Sequence, residues 1–163
     1  MSGIIGGGSK SGLVGPPKAE HCSVYVDATI SIADGSSWYL PDANQMSARH
    51  DYFGWYSDAD RKITPKKKGL YFVYAHSFLG NLESGNMFGH MLVYAGVEGS
   101  FNIHTFEYSS MTNDVVATVT HNVYFDGHDD YIQIKYYNSS STSRTVGAGF
   151  QGSQWGLTYI GEK

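Results

Sequence analysis

The chain has 163 residues, with 15 acidic against 11 basic side chains, a formal net charge of −4, 20 glycines, 13 tyrosines, 8 phenylalanines and one cysteine. Aromatic residues make up 15% and charged residues only 16%, the opposite of the bias that keeps a chain disordered, and the length suits one domain with a hydrophobic core. The acidic balance excludes a general nucleic-acid binder, which carries a basic stripe, and the lone Cys22 cannot close an internal disulfide.

Residues 1–20 lack the apolar stretch of a signal peptide, and no apolar run approaches the roughly 18 residues of a membrane span. The expectation is a protein made in a reducing cytosol, without membrane insertion. Within this opening segment Ser2-Gly3-Ile4-Ile5-Gly6 recurs as Ser11-Gly12-Leu13-Val14-Gly15, followed by Pro16-Pro17. Six glycines in the first fifteen residues raise the entropic cost of order, and there is too little apolar area to offset it. A pure linker would not carry paired aliphatics. Two readings stay open: a disordered tail, or a peptide that orders by inserting its aliphatic pairs into a partner.

From Cys22 the pattern is that of strands. Val24 to Ile32 alternates, which predicts Val24, Val26, Ala28, Ile30 and Ile32 on one face, and Asp34-Gly35 closes the run. The segment Asp42 to Arg49, after Pro41, could hold a turn or two of helix. Further strands are predicted at Leu70–Phe78, Met87–Tyr94, Phe101–Tyr108, Val115–Phe125, Tyr131–Tyr137 and Trp155–Ile160. The stretches between them, Asn81–Gly85, Gly96–Ser100, Asp126–Asp130 and Asn138–Thr145, are rich in turn residues. Many short strands without long helices predict an all-β sandwich or barrel.

Enzyme and cofactor motifs fail on context. Gly147-Ala148-Gly149-Phe150-Gln151-Gly152 has the letters of a dinucleotide fingerprint, but a strand rather than a helix follows it. Ser9-Lys10-Ser11 follows three glycines without the glycine and leading strand a phosphate loop needs. No Gly-x-Ser-x-Gly elbow is present. Asp58-Ala59-Asp60 places Lys62 where a calcium loop needs an oxygen. Asp126-Gly127-His128-Asp129-Asp130 reads as an acidic turn, with calcium binding as the alternative. The seven histidines show no metal-ligand spacing, although His104 and His121 could meet across a sheet. Lys66-Lys67-Lys68 is a solvated loop or a small anion contact. Asn138-Ser139-Ser140 is a glycosylation sequon, meaningful only in a secreted chain. No cofactor is implied, and the expectation is a protein that is not an enzyme.

The centre of the chain carries a resemblance. Tyr56-Ser57-Asp58 leads to Ile63-Thr64-Pro65, then three lysines and Gly69-Leu70-Tyr71-Phe72-Val73-Tyr74-Ala75-His76. Asp126 to Ile134 and Ser153 to Ile160 follow in the matching order. Residues 22 to 163 thereby resemble the complement-globular-head and tumour-necrosis-factor-like jelly roll, with Val73 where that family favours Phe and Gln154-Trp155 replacing its usual closing residues. The resemblance implies a two-sheet jelly-roll β-sandwich forming a bell-shaped homotrimer with aromatic side chains along its axis, no shared catalytic residues, and binding through loops and surfaces. Such interfaces favour Tyr, Trp, Phe and Met.

The N-terminal repeat resembles the starts of marine bacteriophage virion structural proteins. The resulting expectation is an anchor peptide at 1–21, with Gly3, Ile4, Ile5, Gly6, Gly12, Leu13, Val14 and Gly15 attaching to the particle, and a head domain at 22–163. The function expected is a virion structural protein, made in the host cytoplasm, partnered by other capsid or tail proteins. It would act as capsid decoration or as a tail or fibre appendage, with host-surface glycan as a further partner. Candidate ligand contacts are Lys66, Lys67, Lys68 and Asn138. For glycan stacking the Asn81–Gly85 and Asn138–Thr145 loops stand out, with Trp38 or Trp55 if exposed. The alternative is a soluble carbohydrate-binding module or a secreted complement-like binding protein.

Overall fold

The computed structural model describes residues 20–35, 38–80, 88–96, 99–102, 114–147 and 152–162, with 88–96 and 99–102 described through their backbone pairing. In chain order the strands are β1 (His21–Val26), β2 (Ile30–Ile32), β3 (Met46–Asp51), β4 (Tyr56–Ser57), β5 (Lys62–Ile63) and β6 (Gly69–Gly80). They continue as β7 (Phe88–Gly96), β8 (Gly99–Asn102), β9 (Val115–Phe125), β10 (Tyr131–Asn138), β11 (Arg144–Val146) and β12 (Gln154–Gly161). The anchor residues Gly3, Ile4, Ile5, Gly6, Gly12, Leu13, Val14 and Gly15 lie outside the described residues, as do His104 and the Asn81–Gly85 loop.

All strand pairings among the described residues are antiparallel. The first sheet runs β3-β1-β12-β6-β9, and β11, carrying β2, pairs with the far end of β6 on the β12 side. The second sheet runs β4-β5-β10-β7-β8. Along the chain the strands cross between the sheets from β3 to β4, β5 to β6, β6 to β7, β8 to β9, β9 to β10 and β10 to β11. That alternation makes the sandwich a jelly roll rather than a stack of hairpins.

Side-chain alternation on β6 builds the core. Tyr71, Val73, Ala75 and Leu79 point inward and are fully buried, meeting Trp155, Leu157, Phe125, Ile132, Ile134 and Tyr136 from both sheets. Tyr71 makes edge-on contacts with Trp55, Phe125 and Tyr159 at centroid distances of 5.9, 5.3 and 5.2 Å. Trp155 is met edge-on by Tyr56 at 6.3 Å. Such tilted pairs add about 0.5–1.5 kcal/mol each beyond area burial.

Two local expectations are corrected. Asp42 to Arg49 forms only the 3₁₀ turn Ala43–Gln45, in which Gln45 Oε1 accepts from the Asp42 N–H at 2.8 Å, before Met46 turns extended. Met46 is drawn into the core opposite Val26, so the sheet ladder outcompetes a short helix. The run Val24–Ile32 is two strands, not one. The chain breaks at Asp27–Thr29, leaves Ala28 exposed, and resumes as β2 against β11.

The register also fixes the two ends of the head. The Tyr159 N–H donates to the Glu20 carbonyl at 2.8 Å, so the described chain starts beside the end of β12. β6 starts at this base, with Leu70 opposite Gly161, and reaches the far end at Gly80 opposite Thr145.

Candidate functional site

Three surfaces carry the chemistry of the described residues. The first is the outer face of the first sheet. The residues alternating with the core row on β6 are Leu70, Phe72, Tyr74, His76 and Phe78, an almost wholly apolar and aromatic outward row in which Phe72 is exposed and the others are half-buried. Phe72 is 39% exposed; Ile160 on β12, near the same end of the sheet, is 53% exposed, and Val116 on β9, opposite Phe78 towards the far end, is 51% exposed. Opposite Tyr74 stands Gly156 of β12. A Cβ there would collide with the Cys22 carbonyl oxygen and come within 2.9 Å of the Tyr74 hydroxyl. Gly156 therefore lets the Tyr74 ring lie across β12 towards β1. Burial pushes that phenol up to about 12.

At the β1 side Tyr74 stacks on His21, with centroids 6.2 Å apart and planes within 3°. His21 and His50, on neighbouring strands, have ring centroids 6.0 Å apart. His21 Nδ1 lies 2.7 Å from Thr158 Oγ1, and His50 Nδ1 lies 3.0 Å from Ser23 Oγ. Burial first, and then the neighbouring His50, lower the His21 pKa from its ordinary value, against a smaller raising effect from a backbone hydrogen bond at Leu157. Sequence spacing did not reveal this pair. His21 and His50 meet only through the β1–β3 register, which shifts at a bulge between Ser23 and Val24.

The second surface is the base, where the lysines and the acidic turn face each other. Lys66 Nζ donates to the His128 carbonyl at 3.0 Å, and Gly127 sits so close to the Lys67–Lys68 backbone that a Cβ would fall 2.7 Å from the Lys68 nitrogen. Lys67 forms a 3.0 Å ion pair with Glu20 and lies 3.8 Å from the Tyr159 ring centroid. The Glu20 carboxylate holds this ammonium above its ordinary range. Lys68 lies 6.0 Å from the Tyr124 ring centroid. The Asp126 carboxylate accepts the His128 N–H at 2.8 Å, which is the main reason its pKa is lowered, and Asp130 accepts the Asp126 N–H at 2.7 Å. These carboxylates brace the turn with oxygens a cation would need. Among the described residues no group of three or more His, Cys, Asp or Glu side chains converges as a metal site.

The third surface is the far end. Asn138 is fully buried, which corrects its reading as a ligand contact and as a sequon acceptor. Its amide nitrogen donates to the carbonyls of Ile32, Ala33 and Thr142 at 3.0–3.1 Å, and its oxygen accepts from the Ser140 N–H and hydroxyl. Asn138 thus ties the end of β2 to the loop before β11. Beside it a shallow cavity of about 130 Å³ is lined by Ile32, Ala33, Asp34, Gly35, Trp38 and Tyr39. Trp38 is 37% exposed and packs on Tyr137 with centroids 5.0 Å apart, whereas Trp55 is buried in the core. Of the two tryptophans, Trp38 alone is available for stacking.

Cys22 is fully buried, and burial, followed by the nearby Asp51, pushes its thiol far up. No helix among the described residues is long and apolar enough to cross a membrane.

No protein-family model and no curated protein matches the chain. Solved structures do. The globular domain of zebrafish complement 1qA superposes with a TM-score of 0.61 at 11% identity, covering 90% of this chain and all of that one. The Eiger TNF of S. frugiperda gives 0.60 at 11% identity, over 89% of this chain and 94% of its own. PRD1 vertex protein P5 gives 0.53 at 14% identity, over 88% and 99%. At such identities it is the fold that is shared: the head is a jelly roll of the complement-globular-head and tumour-necrosis-factor type.

Proposed function

We propose that the protein is a non-enzymatic bacteriophage virion component, a homotrimeric jelly-roll head held to the particle through its N-terminal peptide. The observation that carries this reading is the open aromatic face of the first sheet. A lone protomer leaves Phe72, Val116 and Ile160 in water, and a second copy laid on that face removes them from it. The fold likeness to a vertex protein supports a place on a particle, as capsid decoration or as a tail or fibre appendage. The described chain starts at the base, and the cavity with Trp38 lies at the opposite end. A head anchored by its N-terminus therefore turns Trp38 outward, where host-surface glycan would be met. Lys66 and Lys68, at the base, face the particle instead.

Light scattering on the purified protein tests the assembly, with three protomers expected; a stable monomer at high micromolar concentration refutes it. Removing residues 1–19 leaves the head folded and abolishes its incorporation into particles, and normal incorporation of that truncation refutes the anchor. The Trp38 cavity also favours a second reading, a free carbohydrate-binding module. Tight glycan binding by a protein that never associates with particles selects that reading.

A further inference from the structure

The histidine pair sits at the margin of the aromatic face, continuous with it through the stack of His21 on Tyr74 and of Tyr74 on Phe72 at 6.3 Å. Two imidazoles 6.0 Å apart tolerate each other when neutral and repel when both are charged. The groups around them offer little compensation. On β1, Tyr25 lies 6.4 Å from His50 and is capped by the Arg49 guanidinium at 4.9 Å, itself paired with Asp27 at 3.2 Å. From β12 comes the neutral hydroxyl of Thr158, and from β6 the neutral Tyr74, with the ionisable His76 further along the same row. On the core side the Asp51 carboxylate accepts the N–H groups of Trp55 and Tyr56 at 2.8 Å. Arg49, next to His50 on β3, adds to the repulsion; Asp27 is already bound to that arginine, and Glu20, next to His21 in the chain, is bound to Lys67.

We propose that the His21–His50 pair makes self-association acid-sensitive, so that copies covering this face at neutral pH separate when the pair takes up protons. The inference rests on the trimer reading above. Its sign follows from linkage. Burial already favours neutral His21 in the protomer, and a covering copy removes more water, so the assembled form binds fewer protons than the free one. Association is then at full strength above the ordinary histidine range near 6.5 and weakens as pH falls through it. If each protomer releases one proton on assembly, the concentration of half-dissociation rises by up to about 30-fold per pH unit below that range.

The test measures mass against concentration at pH 8.0 and 5.0, with circular dichroism at both. The expected result is a trimer at pH 8.0, dissociation into folded protomers at pH 5.0, and a double variant His21→Gln/His50→Gln that stays trimeric at pH 5.0. The single variant His50→Gln is expected to fall between the two. A trimer equally stable at both pH values overturns the inference and leaves the trimer reading standing, and a monomer at pH 8.0 overturns both. Acid dissociation that persists unchanged in the double variant, or loss of the β-sheet signal at pH 5.0, also overturns it, because the proton then acts elsewhere.

Discussion

Truncating Phe72 to Ala removes the most exposed ring of the outward β6 row while leaving the core untouched. An aromatic side chain buries about 150–250 Å² when fully covered, so the 39% of Phe72 left exposed by the protomer amounts to roughly 80 Å². At about 25 cal/mol per Å² a covering copy gains about 2 kcal/mol from that ring, or about 6 kcal/mol over three protomers. Since the trimer concentration depends on the cube of the protomer concentration, a loss of that size raises the half-dissociation point by about 100-fold. Sedimentation velocity over a dilution series reads this directly. Phe53→Ala is the control, for that ring is 45% exposed but stacks on Trp55 in the turn after β3 rather than standing in the β6 row. The protomer also loses the Phe72–Tyr74 stack and the packing of the covered part of the ring, so its melting temperature is expected to fall too, and the dilution series is read where both proteins remain folded. Equal dissociation curves for wild type and Phe72→Ala, or an equal shift in Phe53→Ala, refute the placement of the interface on this face.

Asn138→Ala leaves the carbonyls of Ile32, Ala33 and Thr142 without their shared donor, and the expected cost of about 3 kcal/mol reads as a drop of about 6–12 °C in melting temperature. Gly156→Ala forces a Cβ against the Cys22 carbonyl and the Tyr74 hydroxyl, and is expected to cost about 1–3 kcal/mol while pushing Tyr74 away from His21. Near-ultraviolet circular dichroism and thermal melts check both effects, and an unchanged melt would contradict the close approach. Cys22 is expected to resist a thiol reagent at pH 8.0 in the native protein and to react at once in denaturant, because burial keeps it protonated.

The strands of this head were legible wherever alternation and turn residues agreed. Val115–Phe125 and Tyr131–Asn138 flank the Asp126-Gly127 turn with their predicted bounds nearly unchanged. The missed elements are those with no local signal. β4 and β5 are two residues each and exist because Tyr56 and Ile63 face each other across a turn that closes on the core. β11 reads as loop because its partners, Ile30–Ile32 and Leu79–Gly80, lie far away in sequence. The same holds for the surfaces. The buried tie made by Asn138 and the meeting of His21 with His50 depend on contacts over 105 and 29 residues, which no spacing rule reaches.

The aromatic composition, by contrast, bears on the proposed assembly, and β6 shows why. An antiparallel strand with one face in water reads as alternating apolar and polar residues. The run Gly69-Leu70-Tyr71-Phe72-Val73-Tyr74-Ala75-His76-Ser77-Phe78-Leu79 has almost no polar alternation, as if both faces were buried. Among the described residues of this run only the odd-numbered positions are buried; Leu70, Tyr74, His76 and Phe78 are half-buried and Phe72 exposed on the outward side. The neighbouring strand β9 shows what an uncovered face ordinarily looks like, with Thr118, Thr120 and Asn122 in the equivalent outward positions. An apolar row beside a polar one favours β6 and the Ile160 end of β12, over the middle of β9, as the seat of the proposed covering copy. In the proposed assembly Phe72 and Tyr74 lie in the covered row and His21 at its margin, so the Phe72 truncation and the histidine variants probe the same contact at two places.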